Sequence, residues 1–433
     1  MSEVIDKSFY IDDCAHSTES LEKARQLASD VKKQLHHGGF HLTKFVSNSP
    51  TVLQDIEGED TVKDDNLIDG VYSHTLGVKW NPRDDTICFG AGDWTLRSGT
   101  VNKRKMLSAV ASIFDPLGLL SPLMIRGKLI LQEATRRKLS WDEAVTDDLQ
   151  RQWDSWTQYM SSEIDIKLKR RMVTRLTKDS NIELHMFSDS SSVAYGCSAY
   201  IRTVNKEGKV EVNLLCSKSR VAPLKSTTIP RLELQAAVLS AKLSNYIQDH
   251  MGLEMSKVTY WTDSEIVLKY IQNDTKKFHV FVANRISTIR SMSDVQQWKH
   301  VASEQNPADL LTRGTNPKQL MSMWWKGPDF LWEYQSQWPA NQKIGTVLSE
   351  EDPEIKRAVI VKATSHVTEV QKDHTNYFLS YFSSWNRLKL MTAWMLRFKK
   401  YIQKRAVTTE PRVTTEELEE AESWSYLVCL TST

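Results

Sequence analysis

The stretch LHMFSDSSSVAYG, Leu184–Gly196, decides how this 433-residue chain is read. Leu184–Phe187 is a short apolar run with the length of a buried strand. It ends in Asp189, a carboxylate that no packed strand needs, which closes the ladder and faces an opening. Ser188–Ser192 has the composition of a turn, and Ala194–Arg202 resumes as a second strand. A strand that delivers an acid to its end is the first mark of a site.

Working outward, Val210–Ser217, Val258–Trp261 and Val295–Val301 also read as strands. Pro230–Gln248 is a helix opened by Pro230, and Ser264–Ile271 is another. The predicted order is strand, strand, strand, helix, strand, helix, strand. Asp263 follows Val258–Trp261 as Asp189 follows Leu184–Phe187. If those two strands are parallel neighbours, both acids emerge at the carboxyl edge of the sheet, where open α/β sheets place ligands. Glu233 falls in the first turn of the Pro230 helix, and Asp309 follows the last strand at a helix start. Four acids on one edge repel and raise each other's pKa. Cations between them reverse that, and an oxygen-only set selects magnesium or manganese. Each acid also has a plainer reading. Asp263 and Asp309 suit helix caps, Glu233 suits a helix dipole, and Asp189 suits a turn.

The motifs around these acids resemble those of the ribonuclease H fold: FSDSSSVAYG at Asp189, IPRLELQAAV at Glu233, WTDSEIV at Asp263 and, in its retrotransposon form, NPADLLTRG at Asp309. The resemblance implies an α/β domain with a mixed five-stranded sheet and flanking helices. It also implies metal-ligand and catalytic roles for Asp189, Glu233, Asp263 and Asp309, holding two Mg²⁺ or Mn²⁺ ions. The expected activity is cleavage of the RNA strand of RNA/DNA hybrids, with one ion activating water and the other stabilising the leaving oxygen, and the 2′-hydroxyl marking the cut strand. The order of the acids argues against an integrase or transposase core, whose Glu comes last. Many members carry a loop His before the final Asp. Here the nearby candidate is His300, which reads as strand-borne. Lys218, Arg220, Lys225 and Arg231 are candidate contacts to the hybrid backbone, with Arg220 and Lys225 equally readable as solvated loop charges.

Upstream, Ser8–Ile11 reads as a short strand turning at Asp12-Asp13. Ser17–His37 reads as a helix capped by Ser17 or Thr18, with Leu21, Ala24, Leu27, Val31 and Leu35 on one face and Gly38-Gly39 closing it. Phe40–Val46 and Tyr72–Trp80 read as strands, the latter turning into Thr86–Phe89. FYIDD, Phe9–Asp13, resembles the paired-aspartate hairpin of reverse transcriptases, making Asp12 and Asp13 a remnant polymerase metal site. GGFHLTKFVSN, with Lys44, and TLGVKW resemble later palm motifs. A further palm aspartate and fingers are missing, so polymerisation by this chain alone is not expected.

Lys103–Tyr159 reads as helical and Trp-bearing, broken at Asp115-Pro116-Leu117-Gly118 and stopped again at Pro122. Its segment KRKMLSAVASIFDPLGLLSPLMIRGKLILQEATRRKLSWDEAV, Lys103–Val145, resembles the thumb and connection of BEL/Pao-type retrotransposon Pol polyproteins. So does YFSSWNRLKLMTAWMLRFKKYI, within a helical stretch near Asn376–Lys404 that precedes the integrase in that family; its Lys399-Lys400 and Lys404-Arg405 cluster suits a polar face. Another helix, acidic, is expected near Thr414–Glu422. The implied domains are a partial palm (1–100), thumb/connection (101–165), a ribonuclease H-like domain (166–320), and a linker with a helical segment (321–433).

Composition adds bounds. Lys+Arg 56 against Asp+Glu 54 leaves no global basic signature, so nucleic acid must meet a local patch. The five cysteines (Cys14, Cys88, Cys197, Cys216, Cys429) lack zinc or disulfide spacing. No apolar run reaches membrane-helix length and no secretory signal is visible. The expected location is the cytoplasm, within a retroelement particle, or the nucleus. Expected partners are the RNA/DNA hybrid and other Pol domains, namely reverse-transcriptase fingers and palm or integrase, with no membrane. The competing functions are a catalytically inert nucleic-acid-binding or scaffolding remnant, and a part of a reverse transcriptase completed in trans.

Overall fold

The computed structural model describes residues 2–56, 58–61, 72–75, 78–90, 100–162, 165–173, 180–316, 320, 323–339, 348–349, 351–356, 382, 384–403 and 413–431. The chain divides into two units, residues 1–357 and 358–433.

The first unit opens with α1 (Ser2–Ser8) and a hairpin of two-residue strands, β1 (Phe9–Tyr10) and β2 (Asp13–Cys14), with Asp12 in its turn. Helix α2 (Leu21–His37) is capped by Ser20, not by Ser17 or Thr18: Ser20 Oγ accepts the Lys23 N–H, while Thr18 Oγ1 is turned to the Ser20 carbonyl. Gly38 and Gly39 end it as expected. Of the expected apolar face only Val31 is buried. The strand expected at Phe40–Val46 is reduced to one bridge, Phe45 to Thr61, because Lys44 takes a φ of 61° that breaks an extended run. After α3 (Pro50–Leu53) come β3 (Tyr72–Thr75), β4 (Val78–Asn81) and β5 (Thr86–Gly90); β4 and β5 form the expected hairpin, but Tyr72–Trp80 is not one strand, since β3 pairs antiparallel with β4 and sets Tyr72 opposite Trp80. Asn81 Oδ1 closes its turn by accepting the Arg83 and Asp84 amides.

Three helices follow: α4 (Lys103–Ser112), α5 (Ser121–Arg136) and α6 (Asp147–Ser162). Pro122 does not stop a helix; it lies in the first turn of α5, where its missing N–H costs nothing. Strand β6 (Asp165–Lys169) then pairs with β5, completing an antiparallel sheet in the order β3-β4-β5-β6. The opening residues of the expected 166–320 unit therefore belong to the upstream sheet.

The second sheet holds β7 (Asn181–Ser190), β8 (Ala194–Val204), β9 (Val210–Val221), β10 (Lys257–Thr262) and β11 (Trp298–His300). Its order is β11-β10-β7-β8-β9. The β10–β7 and β10–β11 pairs are parallel, and β7–β8 and β8–β9 are antiparallel. Between β9 and β11 lie α7 (Ile229–His250), α8 (Glu265–Gln272) and α9 (Val280–Met292). Helix α9 was not expected; Val282, Ile286 and Ile289 fall on one of its faces and are buried. Most of Val295–Val301 is not strand; Val295–Gln297 is a 3₁₀ turn and only Trp298–His300 pairs.

Alternation along the strands divides the core. Leu184, Met186 and Tyr260 face α7, α8 and α9. Phe187, Tyr200, Val212 and Trp261 face the other way, against Met106, Leu120 and Trp153 of the upstream helical region and against Trp324 and Phe330. The helices of 103–162 thus form the second covering layer of this sheet. Trp324, in α11 (Met323–Lys326), donates Nε1–H to the Leu119 carbonyl, and Ser217 of β9 donates its amide to the Leu117 carbonyl. Gly118, at φ 71°, sits so close that a Cβ would lie 2.1 Å from Ser217 O. The short α10 (Asp309–Arg313) closes the carboxyl edge.

The second unit contains α12 (Trp385–Ile402) and α13 (Thr415–Thr431), joined by ion pairs from Arg397 to Glu417 and from Lys389 to Glu422. The helices expected near Asn376–Lys404 and Thr414–Glu422 correspond to these; residues 376–381, 383 and 404 lie outside the described residues. Cys14, Cys88, Cys197 and Cys216 are free thiols.

Candidate metal centre

Parallel pairing of β7 and β10, with Thr262 opposite Ser188, sets Asp189 and Asp263 side by side at the carboxyl edge. Helix α7 crosses below and brings in Glu233. It lies one position beyond the first turn and not within it, since α7 begins at Ile229. One oxygen from each of Asp189, Glu233 and Asp263 lies within 4.8 Å of the others. Asp189 is 4% exposed and Glu233 9%.

The turn and cap readings of these acids do not hold. Asp189 is inside β7, with Gly196 opposite. Ser264, not Asp263, occupies the cap of α8. Asp263 instead accepts from Ser303 Oγ, and from Asn306 Nδ2 at 3.4 Å. Asp189 Oδ2 accepts from Thr312 Oγ1 at 2.6 Å. Glu233 Oε2 is buried without a hydrogen-bond partner.

Among the described residues no basic group enters this cluster, and its electrostatics show it. Burial pushes the Asp189 carboxyl up to about 7; the Thr312 hydrogen bond opposes this, and the charges of Asp263 and Asp309 add to it. Burial raises Glu233 to about 8, with the Asp189 and Asp263 charges contributing. A buried carboxylate oxygen with no donor, beside two more carboxylates, has the donor chemistry of a hard divalent cation site. Asp189, Glu233 and Asp263 are therefore a set that could hold one.

Asp309 stands apart. It is the first residue of α10, its charge reaches Asp189, and it pairs with the exposed Arg313 at 2.6 Å; it is not in the group of three. His300 is on β11, as expected. Asp12 and Asp13 lie on the exposed N-terminal hairpin, and among the described residues they join no group of three potential ligands. Lys218 and Arg220 are exposed on β9, and Lys225 is exposed in the loop that follows it. Arg231 is committed otherwise: it forms a two-pronged ion pair with the buried Glu354 and lies over the Phe281 ring. Sequence reasoning missed Thr312, Asn306 and Ser303. The first two stood inside the quoted NPADLLTRG motif, but nothing in composition marks a Thr or Asn as a carboxylate partner.

A mixed sheet ordered 3-2-1 antiparallel and then 1-4-5 parallel, with acids at the ends of its first and fourth strands and one on the first crossover helix, defines a ribonuclease H-like domain. Residues 102–264 match the family model of the Pao retrotransposon-like RNaseH-like domain. Among solved structures, the chain is similar to the N-terminal RNase H domain of Rv2228c from Mycobacterium tuberculosis (12% identity, 30% of this chain and 91% of that one, TM-score 0.22). It is also similar to LC11-RNase H1, isolated from compost, in complex with an RNA/DNA hybrid (17% identity, 32% and 99%, TM-score 0.23). A third is the foamy viral protease-reverse transcriptase in complex with dsDNA (14% identity, 73% and 59%, TM-score 0.20). No curated protein matches. No helix among the described residues is long and apolar enough to cross a membrane.

Proposed function

We propose that this chain is a divalent-cation-dependent ribonuclease that cleaves the RNA strand of RNA/DNA hybrids. The observation that carries the reading is the convergence of Asp189, Glu233 and Asp263 within 4.8 Å, with Glu233 Oε2 buried and unbonded. These three residues hold magnesium or manganese. Asp309, whose exposed pair with Arg313 would have to open, would be the fourth ligand. Divalent cations held there would lower the pKa of a bound water and offset charge on the leaving oxygen.

The chain's own residues do the rest. Thr312 and Ser303 hold the two strand-end carboxylates in fixed orientations. Sites on the sheet edge receive the hybrid, and Lys218 and Arg220 offer charge to its phosphates in a salt-dependent manner. The 2′-hydroxyl distinguishes the RNA strand from the DNA strand. The location follows the nucleic acid, in a retroelement particle or the nucleus.

The direct test is a labelled hybrid incubated with the chain and Mg²⁺, comparing wild type with Asp189→Asn. Cleavage by wild type alone is expected. Equal product from both refutes the assignment, and salt-dependent hybrid binding with no product from either identifies an inert binding remnant.

A further inference from the structure

Both carboxylates that end the parallel strands are gripped by one segment, Ser303–Thr312, which runs from the 3₁₀ turn after β11 into α10. At its far end Thr312 is fully buried and donates its hydroxyl to Asp189 Oδ2 over 2.6 Å. The same hydroxyl lies 3.0 Å from the Asp309 carbonyl. One proton serves one acceptor at a time, and the shorter contact, to a carboxylate, is the stronger. At the near end Ser303 Oγ donates to Asp263 Oδ2. Asn306, fully buried, points Nδ2 at the Ser188 carbonyl (3.1 Å) and at Asp263 Oδ1 (3.4 Å). Its own Oδ1 accepts the Ala308 amide, which fixes the rotamer of the side-chain amide.

The segment is itself anchored from three directions. Ser191 Oγ donates to the Thr312 carbonyl from the β7–β8 turn, and Ser219 Oγ donates to the Leu311 carbonyl from β9. The Thr315 amide donates to the Pro122 carbonyl of α5. The upstream helical layer and the sheet together hold it still.

We infer that Thr312, with Ser303 and Asn306, consists of positioning residues that preset the Asp189 and Asp263 carboxylates for a divalent cation shared with Glu233. This rests on the cation site of the proposed nuclease. Three crowded carboxylates with no cation between them gain by rotating apart. Hydrogen bonds to two of the three oppose that rotation, so the ligand oxygens keep their places and binding needs little reorganisation. Glu233 Oε2 carries no such bond. Two ligands are therefore gripped by this one segment, while Glu233 lies outside its reach, beside Ser190.

The test is a Mn²⁺ titration by calorimetry on the full chain after EDTA dialysis. Thr312→Val removes the donor at nearly constant volume and is expected to weaken Mn²⁺ binding by roughly 10–100-fold, the usual cost of losing such a partner. The metal-free thermal midpoint should stay close to wild type, and Thr312→Ser, which keeps the hydroxyl, should restore the affinity. Wild-type affinity in Thr312→Val overturns the inference, as does equal weakening in Thr312→Ser. Should Thr312→Val fail to fold, Ser303→Ala decides: Ser303 is exposed, so a weakened Mn²⁺ affinity at unchanged stability supports the inference and unchanged affinity overturns it. Hybrid cleavage is scored separately. A wild type that binds Mn²⁺ through this segment but cuts no hybrid refutes the nuclease reading and leaves the inference standing. A wild type that cuts, with a Thr312→Val variant that binds Mn²⁺ just as tightly, does the reverse.

Discussion

Strand β7 buries a carboxylate at each end, and the two ends have opposite characters. Glu183 is 6% exposed and Asp189 4%, so water rescues neither. Opposite Glu183 stand Arg202 on β8 and Lys257 on β10. Arg202 donates to Glu183 Oε2 at 2.9 Å and spends its other donors on the Leu331 and Glu333 carbonyls. His185 Nε2 lies 3.3 Å from the same carboxylate oxygen, and its Nδ1 accepts from Trp261 Nε1. Burial raises the Glu183 carboxyl, but His185 and Arg202 outweigh it and the net shift is downward. Opposite Asp189 stands Gly196, and its charged neighbours are Asp263, Glu233 and Asp309. One end of the strand has its cation built into the sequence. The other gathers three acids that could hold one. The difference separates a carboxylate that holds the fold together from one whose burial makes sense only through chemistry.

The largest effect expected from this contrast is on hybrid cleavage. Glu233→Gln should lower the rate by roughly 10³-fold, since a ligated cation contributes several kcal/mol at about 1.4 kcal/mol per decade. Glu183→Gln should leave the rate per folded molecule unchanged. Loss of cleavage in both, at matched folded fraction, would erase the distinction between the two ends.

Next is stability. Arg202→Met leaves Glu183 charged, buried and without its guanidinium, at a cost of about 3–5 kcal/mol. The double variant Arg202→Met/Glu183→Gln should recover part of that in a denaturant-unfolding cycle, because the two side chains are in contact. Mg²⁺ should not rescue Arg202→Met. Additive losses would show that the pair carries no coupling.

How much of this contrast was legible beforehand depends on what each acid does. Asp189 and Asp263 were readable because an apolar run that ends in an acid is unusual locally, and Glu233 because its helix motif is specific. Glu183 was not. An acid at the start of a strand, with its arginine nineteen residues on, looks like two solvated charges until β8 folds back in register. The covering layer at 103–162 was also hidden, because periodicity marks helices but does not say which sheet they cover. Paired acids in the sequence proved a poor guide to paired acids in space. Asp12 and Asp13 are neighbours on an exposed hairpin, while the cluster draws on residues 74 positions apart, from Asp189 to Asp263.

The two ends should also titrate in opposite senses. Asp189 and Glu233 have folded-state values of about 7 and about 8, above their unfolded values of 3.8 and 4.5. The metal-free protein therefore takes up protons on folding. This contribution to stability is fully present below about pH 4 and is lost progressively as pH rises through about 7–8. Glu183, lowered in the fold, works the other way: its contribution is present above its unfolded value and is lost in acid. Thermal midpoints in EDTA from pH 4 to 8.5 should fall on the alkaline side for wild type and flatten in Glu233→Gln. Mg²⁺ at pH 8 should restore the wild-type midpoint by mass action. A wild-type profile that stays level to pH 8.5 in EDTA would mean that the cluster is not desolvated.

The same logic extends to cations on the surface, where effects are smallest. Arg231 has a buried carboxylate partner in Glu354, so it belongs with Arg202. Lys218 and Arg220 show no ion pair among the described residues, and Lys218 lies 5.9 Å from the centre of the Tyr246 ring. If unpaired charge marks function, Lys218→Gln should weaken hybrid binding only modestly, and should reduce the slope of log affinity against log salt by about one unit. Arg231→Gln should leave that slope unchanged and lower the thermal midpoint instead, since it strands Glu354. Both are read in an Asp189→Asn background with Ca²⁺ absent and KCl varied, so that cleavage does not interfere. A slope that changes with Arg231→Gln and not with Lys218→Gln would put the hybrid on the α7 side of the edge and reverse the assignment of the two cations.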